Sequence, residues 1–365
     1  MQKTVDFSQD NQVLAHIWNN LDHTGAPLLW SWRQEAVKTK PYEGLKVYHN
    51  IPLSIETICK VEALQAAGAK VVVSCTDFLV PATFAEARNL LDVLKIEYRE
   101  QKYAEPREFD FYLDCCAELA NLPAPNFGIV EITRTGALVY QNKNSTTPIL
   151  SVDDSLIKTI ETFYGTGEAF IRVHQKYIKE KLEGSSIAII GYGKVGQGIA
   201  YWARKNNAKC KIFDIDAQSI KKATSQGFEA YLCNQDSAID AILSTEIIVT
   251  ATGRKESLKH TFANAEKLFA GKILCNMGAD DEIGKGFDDS TVLDEGRCVN
   301  FSLHHPTMMC YLDPTFYAHN LGIEIVKDLI DKPGFHPLPK EIDLAIIKRW
   351  SQIHNLPWNN LTELS

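Results

Sequence analysis

The stretch SSIAIIGYGKVGQGIAYWARKNNAKCKIFDID, residues 185–216, limits what this chain can fold into more than any other. Residues 187–190 form an apolar, mostly β-branched run, the pattern of a strand buried on both faces of a parallel sheet. Gly191, Gly193 and Gly196 follow in the spacing G-x-G-x-x-G. The first glycine permits a tight turn, the second lets backbone amides approach a ligand, and the third lets the next helix pack close to the strand. That helix directs its N-terminus, and so its partial positive charge, at the same point. Asp214 ends the next short strand, 211–213, near the roughly 20-residue spacing at which an acid meets a ribose hydroxyl. Strand, glycines, helix and acid together predict a dinucleotide site. The carboxylate favours the free 2′-OH of NAD over a 2′-phosphate, which it would repel. The alternative is a glycine-tight turn in an α/β domain that holds no ligand.

A single core rarely grows beyond roughly 250–300 residues, so 365 residues imply about two domains. The net charge of −8 argues against a nucleic-acid or anionic-membrane partner, since no basic face is implied. No apolar run approaches the roughly 18–20 residues that cross a bilayer, and the polar start MQKTVDFSQDNQ lacks a signal-peptide core. The nine cysteines are irregularly spaced, with no C-x-x-C pair, so a zinc site, or any other metal site, is not expected. Cys59, Cys75, Cys210, Cys233, Cys275 and Cys298 sit in or beside apolar segments, as small hydrophobes do. A reducing, cytoplasmic setting is the expectation.

Along the chain, 11–21 reads as a helix. Residues 47–75 read as strand end, loop, helix closed by Gly68, and the buried strand 71–73. A helix over 82–94 and short strands at 111–113 and 128–130 complete an α/β layer. Residues 148–184 are mostly helical, with a break and hinge expected at 165–167. Beyond Asp216, strands are expected at 247–250, 272–275 and 298–301. Irregular chain over 300–314 leads to a helical tail with a loop at PGFHPLPKE and a short last helix over 343–350.

Several blocks resemble the S-adenosyl-L-homocysteine hydrolase family. GYGKVGQG resembles its G-Y-G-x-V-G-x-G, and AKCKIFDID its strand ending in an acid, Ile and Asp. ATG (251–253), CNMG (275–278) and EGRCVN (295–300) resemble T-T-G, C-N-x-G and E-G-R-x-V-N. SIETICKVEALQAAGAKVVVSC, VEITRTG (130–136), DSLIK (154–158), YG (164–165) and FHPLPKEID resemble further family blocks in the same order, so the resemblance runs from about residue 45 to about 345. It implies a Rossmann-type, doubly wound NAD domain inserted in a second α/β substrate domain. The expected bounds are 1–163 for the substrate domain, 164–303 for the NAD domain and 304–365 for the return to the substrate domain. It also implies NAD as a recycled cofactor, a small nucleoside as substrate, and a homo-oligomer, dimer or tetramer.

Carried over residue by residue, the resemblance assigns Lys158, His305 and Asp114 to catalysis. It assigns the cofactor to Gly191, Gly193, Lys194, Val195, Gly196 and Asp214, with Thr133, Thr135, Thr252, Gly253, Met277, Gly278 and Asn300. Glu56, Thr57, Glu131 and Asp154 fall at substrate-binding positions. The departures concentrate on chemistry. Pro52 stands where the family has its leaving-group histidine, although His49 lies three residues earlier. Cys115 replaces the second of two aspartates, Ile132 the second of two glutamates, and Ala279 a histidine. Glu161 and Thr162 stand for an Asp-Asn pair, Thr166 for a cysteine and Lys194 for an aspartate, and the family's Lys/Tyr tail is absent.

These patterns leave several readings. One is an NAD-dependent enzyme that oxidises the ribose 3′-OH of an adenosine-type nucleoside or thioether and then eliminates or adds across C4′–C5′. A second is hydrolysis of S-adenosylhomocysteine itself with relocated groups such as His49 and Asp114. A third is a non-catalytic NAD-binding regulatory paralogue, and a hydroxyacid dehydrogenase is the weakest. Lys158 reads either as an amine at the ribose 3′-OH or as a solvated helix lysine. Glu56 and Thr57 read either as nucleoside contacts or as a helix cap. Cys115 and Cys116 read either as packing thiols, the favoured account, or as a thiolate nucleophile, which would need a nearby cation or helix N-terminus.

Overall fold

The computed structural model describes residues 25–355, together with Leu14, Ile17 and Trp18. The chain divides into two compact units, Met1–Ile160 with Met308–Ser365 and Glu161–Thr307. The strands of the first unit are β1 (Lys46–Asn50), β2 (Lys70–Ser74), β3 (Glu97–Tyr98), β4 (Phe111–Asp114), β5 (Gly128–Glu131) and β6 (Pro148–Ser151). The second unit holds β7 (Ser186–Ile190), β8 (Lys209–Asp214), β9 (Glu229–Leu232), β10 (Ile247–Thr250) and β11 (Ile273–Asn276). The first unit is completed by β12 (Gly334–Pro337).

The first sheet runs β3-β2-β1-β4-β5-β6-β12 and the second β9-β8-β7-β10-β11, with every pairing parallel. Both orders step outward from a central strand and then jump back past it, which makes each sheet doubly wound. Such a sheet opens a crevice beyond its strand C-termini where the winding reverses. In the first unit that point lies between β1 and β4, and in the second between β7 and β10. The expected α/β class, with a Rossmann-type domain, is therefore what the chain adopts. Strands such as Ile187–Ile190 in the second unit and Val71–Val73 in the first are buried, as parallel strands covered on both faces must be.

One helix of the first unit is unusual. Ile55–Ala66 is buried at every position from Ile55 to Leu64, including Glu56, Lys60 and Glu62. Burying an ionisable group costs several kcal/mol unless it is partnered. Glu62 meets Arg33 in a two-pronged pair at 2.6 and 2.7 Å and accepts from Trp18 Nε1 at 2.8 Å. Lys60 has partners described below.

Several local expectations change, among them the irregular chain expected over 300–314, which enters the helix Met309–Lys327. The segment expected as a loop at PGFHPLPKE contains β12, an edge strand on β6 whose last residue is Pro337, a place where a missing N–H is tolerated. The strand expected at 298–301 is instead a 3₁₀ turn, Val299–Ser302, because Asn300 closes local bonds to Pro306 O and from Leu303 N. The helical break expected at 165–167 is absent. A π-helical stretch, Ile160–Thr166, runs directly into the helix Gly167–Tyr177. Its glycine serves close packing instead: a Cβ on Gly167 would lie 2.5 Å from the Gly198 carbonyl carbon, and one on Gly198 would lie 2.2 Å from Phe163 O. The last helix is longer than expected, Lys340–His354. The helix expected at 11–21 lies mostly outside the described residues. Among the described residues no helix is long and apolar enough to cross a membrane.

Candidate functional site

In the second unit the crevice between β7 and β10 is built of backbone. Gly191 has φ +96°, and a Cβ there would fall 2.5 Å from Ala251 O, so the loop after β7 touches the loop after β10. A Cβ on Gly196 would sit 1.9 Å from Gly191 O, which pins the helix Lys194–Lys205 against the turn. Gly193 is exposed and would meet nothing within 4 Å. An open, side-chain-free approach to the first amides of a twelve-residue helix is what a pyrophosphate requires. Asp214, at the end of β8, accepts from Tyr192 N at 2.7 Å and from Asp216 N at 2.9 Å. The acid thus holds the glycine turn in place at the strand end where a ribose edge would lie.

Glu282, which the sequence analysis did not single out, organises the other wall. Its fully buried carboxylate accepts from Thr252 N at 2.8 Å and Gly253 N at 2.6 Å, and it lies where a Cβ on Gly278 would be, 1.8 Å away. Burial pushes its carboxyl up, opposed by those amides. Asn276 Oδ1 accepts from Gly278 N, and Met277 N donates to Thr250 O. The loops after β10 and β11, which carry Thr252, Gly253, Met277 and Gly278, are therefore brought together and held rigid. The residues present fit a dinucleotide.

In the first unit the crevice between β1 and β4 is built of side chains. Asn50, ending β1, donates to Asp114 Oδ1 at 3.1 Å and to Cys115 O at 3.2 Å, bridging the switch point; Ser74 Oγ donates back to Asn50 Oδ1. Asp114 also accepts from Cys115 N, Leu119 N and the Tyr140 hydroxyl, the last at 2.7 Å. Burial nevertheless raises its carboxyl to about 6. Glu131, ending β5, accepts from the amides of Cys116, Ala117, Ile132 and Thr133 and from the Thr133 hydroxyl at 2.6 Å. Burial and the nearby Asp114 charge both push Glu131 up as well. A Cβ on Gly136 would lie 2.2 Å from Glu131 Cδ, which explains the glycine that closes VEITRTG.

Beneath this rim lies a second group that spacing could not reveal. Lys60 Nζ lies 2.5 Å from His49 Nε2 and donates to Asn320 Oδ1 at 2.8 Å. Both His49 and His319 are fully buried, with ring centroids 5.8 Å apart, and His319 Nε2 meets Val130 O at 2.9 Å. Neither His49 Nδ1 nor His319 Nδ1 has a partner among the described residues. Burial lowers Lys60 and both imidazoles well below their ordinary ranges, and the Lys60 charge lowers the imidazoles further. The arrangement gathers a lysine and two imidazoles whose charged forms burial disfavours, with Lys60 and His49 in direct contact. A lysine inside the apolar run ICKVEAL was the only local hint of it.

Lys158 is 5% exposed, so it is not the solvated helix lysine that was one option; Ser155 Oγ caps its short helix, and its charge bears on Cys115 and His319. Asp114, Lys158 and Glu131 thus share the first unit. His305 belongs to the second unit, half-buried, with its ring 3.1 Å from His304 Nδ1 and its carbonyl held by Arg172. Thr133 and Thr135 lie in the first unit, and the Thr133 hydroxyl is engaged by Glu131, Cys116 N and Gly136 N. The Thr57 hydroxyl accepts from Ser54 N and donates to Ser54 O, a helix cap. Asp154 pairs with Arg134 at the surface. The Asn300 side chain is occupied by Cys298 Sγ and Pro306 O.

Residues 162–302 match the family described as S-adenosyl-L-homocysteine hydrolase, NAD binding domain. The chain is 26% identical over 372 residues to the S-inosyl-L-homocysteine hydrolase of Methanopyrus kandleri, covering 88% of this chain and 86% of that protein. It is 26% identical over 371 residues to the S-inosyl-L-homocysteine hydrolase of Methanosarcina mazei, covering 88% of each. It is 24% identical over 388 residues to the adenosylhomocysteinase of Pyrococcus abyssi, covering 92% of this chain and 90% of that protein. NAD is accordingly the cofactor of the second unit.

Proposed function

We propose that this chain, a member of the S-adenosyl-L-homocysteine hydrolase family whose residues 162–302 form its NAD-binding domain, transiently oxidises the ribose 3′-OH of a purine nucleoside thioether and then eliminates or adds across C4′–C5′. Bound NAD supplies a hydride acceptor and, later, the matching donor. Gly191, Gly193 and Gly196 would present amides to its pyrophosphate, and Asp214 would accept from its ribose. Lys158, buried and electrostatically coupled to the crevice of the first unit, would polarise the 3′-hydroxyl or, where desolvation frees its amine, take its proton. Proton transfer by a positioned side chain contributes roughly 10²–10⁴-fold. At the 5′ end, where Pro52 and Cys115 replace the family's proton carriers, the His49–Lys60 contact supplies replacements whose neutral forms burial favours. S-adenosyl- and S-inosyl-homocysteine, the substrates in the relatives' names, are the first compounds to try.

The observation that carries this reading is the glycine turn locked by Asp214 at the β7/β10 switch point. The test is incubation of the NAD-loaded protein with each thioether in deuterated water. Deuterium at C4′ with release of a thiol is the expected result. Deuterium without thiol release would leave 3′-oxidation standing and limit the 5′ chemistry. Failure of both thioethers to reduce the cofactor or to exchange would overturn the reading in favour of a non-catalytic NAD-binding paralogue. That second reading is favoured by one feature: Glu131, Thr133 and Thr57 spend their polar atoms on the fold itself.

A further inference from the structure

We propose that Cys115 and Cys116 form a redox-active vicinal dithiol, at the switch point of the first sheet, that closes to an intramolecular disulfide by exchange with a small disulfide of the glutathione class. Adjacent residues of an extended chain direct their side chains to opposite faces, which separates neighbouring thiols. Here β4 ends at Asp114, and the backbone turns sharply: Cys116 has φ +63° and Ala117 has φ +55°. Two consecutive left-handed residues other than glycine are costly and persist only where the surroundings enforce them. The enforcing groups come from the end of β4 and from the end of β5 with the residues after it. Asp114 Oδ1 accepts from Cys115 N at 2.8 Å, Thr133 Oγ1 from Cys116 N at 2.9 Å, and Glu131 Oε2 from Ala117 N at 3.0 Å.

The turn brings the two sulfurs to 3.9 Å. A disulfide needs about 2.05 Å, so closure asks for a shift of about 2 Å, shared between the two side chains and the peptide that joins them, because consecutive Cα atoms lie only about 3.8 Å apart. Their exposures differ usefully: Cys116 is half-buried and can be reached from solvent, whereas Cys115 is 2% exposed. Cys116, as thiolate, attacks one sulfur of the small disulfide, breaks its S–S bond and releases one small thiolate, which takes a proton from water. Cys115 then gives its proton to solvent and attacks the Cys116 sulfur, releasing the second small thiol. Two protein thiols are oxidised to one disulfide, and one small disulfide is reduced to two thiols. The hydrogen bond with Cys116, burial and Glu131 raise the Cys115 thiol well above its ordinary range, opposed by the Lys158 charge, so Cys115 is the resolving thiol and Cys116 the attacking one.

The experiment uses the reduced full-length protein, titrated with oxidised glutathione, quenched in acid, alkylated and mapped by peptide mass spectrometry. The expected product is the loss of two hydrogens confined to the peptide holding residues 115 and 116, reversed by dithiothreitol. Cys115→Ser should retain glutathione as a stable mixed disulfide on Cys116, and Cys116→Ala should lose closure. Phenylarsine oxide, a probe that bridges paired thiols, should be retained by the wild type and lost from either variant. Glutathione persisting on wild-type Cys116, a bond to any other cysteine, or no change at the pair would overturn the proposal. Because no readout involves nucleoside turnover, its failure is distinct from failure of the catalytic reading.

Discussion

The two units solve the same topological problem with different materials. Each sheet reverses its winding beside a central strand, β1 in the first unit and β7 in the second, and each opens a crevice at the strand C-termini. The second crevice is lined by glycines and bare amides, tightened by Asp214 and Glu282 from behind. The first is lined by Asn50, Asp114, Cys115 and Glu131, whose oxygens are taken up largely by the loop that follows β4. A backbone site tolerates little change, since a side chain at Gly191 or Gly196 collides with neighbouring backbone. A side-chain site can exchange its members one at a time while the loop geometry survives. The three glycines of the cofactor turn are accordingly all present, and the departures in the second unit, Lys194 and Ala279 among them, change side chains around that turn, whereas Pro52, Cys115 and Ile132 change the first unit.

The sharpest way to break this contrast is Gly196→Val. With a Cβ only 1.9 Å from Gly191 O, the turn must open, and NAD retained through gel filtration should fall by about 100-fold or more. Stoichiometric retention would remove the turn from the cofactor site. Lys158→Met tests the other crevice. Ribose oxidation, followed as cofactor reduction, should fall roughly 10²–10⁴-fold while NAD content stays unchanged. Full activity would exclude the lysine from the chemistry.

The pH dependence of the first crevice provides a third test. Asp114 is raised from 3.8 to about 6, so ionising it costs the folded state more than the unfolded one. That cost is absent below about pH 4, grows between about pH 4 and 6, and is complete above that. Asp114→Asn misplaces an amide among donors and is destabilising at every pH, but it carries no such charge. From pH 4 to pH 7 the stability difference should therefore move towards the variant by up to about 3 kcal/mol, measured by urea unfolding. A flat difference would mean that the four donors, not burial, govern the carboxyl. The smallest effect is expected for Asp214→Ala. Losing charged hydrogen bonds to Tyr192 N and to the cofactor ribose should weaken NAD by about 2 kcal/mol, or roughly thirtyfold by titration calorimetry. Unchanged affinity would sink the ribose assignment.

The second crevice was legible because its signals are local. Glycine offsets, an apolar strand and an acid at the end of the next strand sit within 32 residues of continuous chain, 185–216, and backbone sterics tie the glycines to one conformation. The same locality misled at 165–167, where a glycine read as a helix breaker serves the close approach of another helix. It also hid β12, which exists because β6 offers a free edge. Lys60 shows the limit most plainly. Beside Cys59 and Val61 it looks like an ordinary helix lysine, yet its partner Asn320 arrives from 260 residues away, and the burial there lowers the amine well below its ordinary range. Periodicity and steric offsets along the chain were enough to dictate two parallel α/β layers and an NAD turn. Which oxygens of Asp114 and Glu131 remain available, and which lysines are dry, depended on segments distant in sequence packing together, because desolvation and hydrogen-bond saturation are properties of surroundings that no single stretch contains.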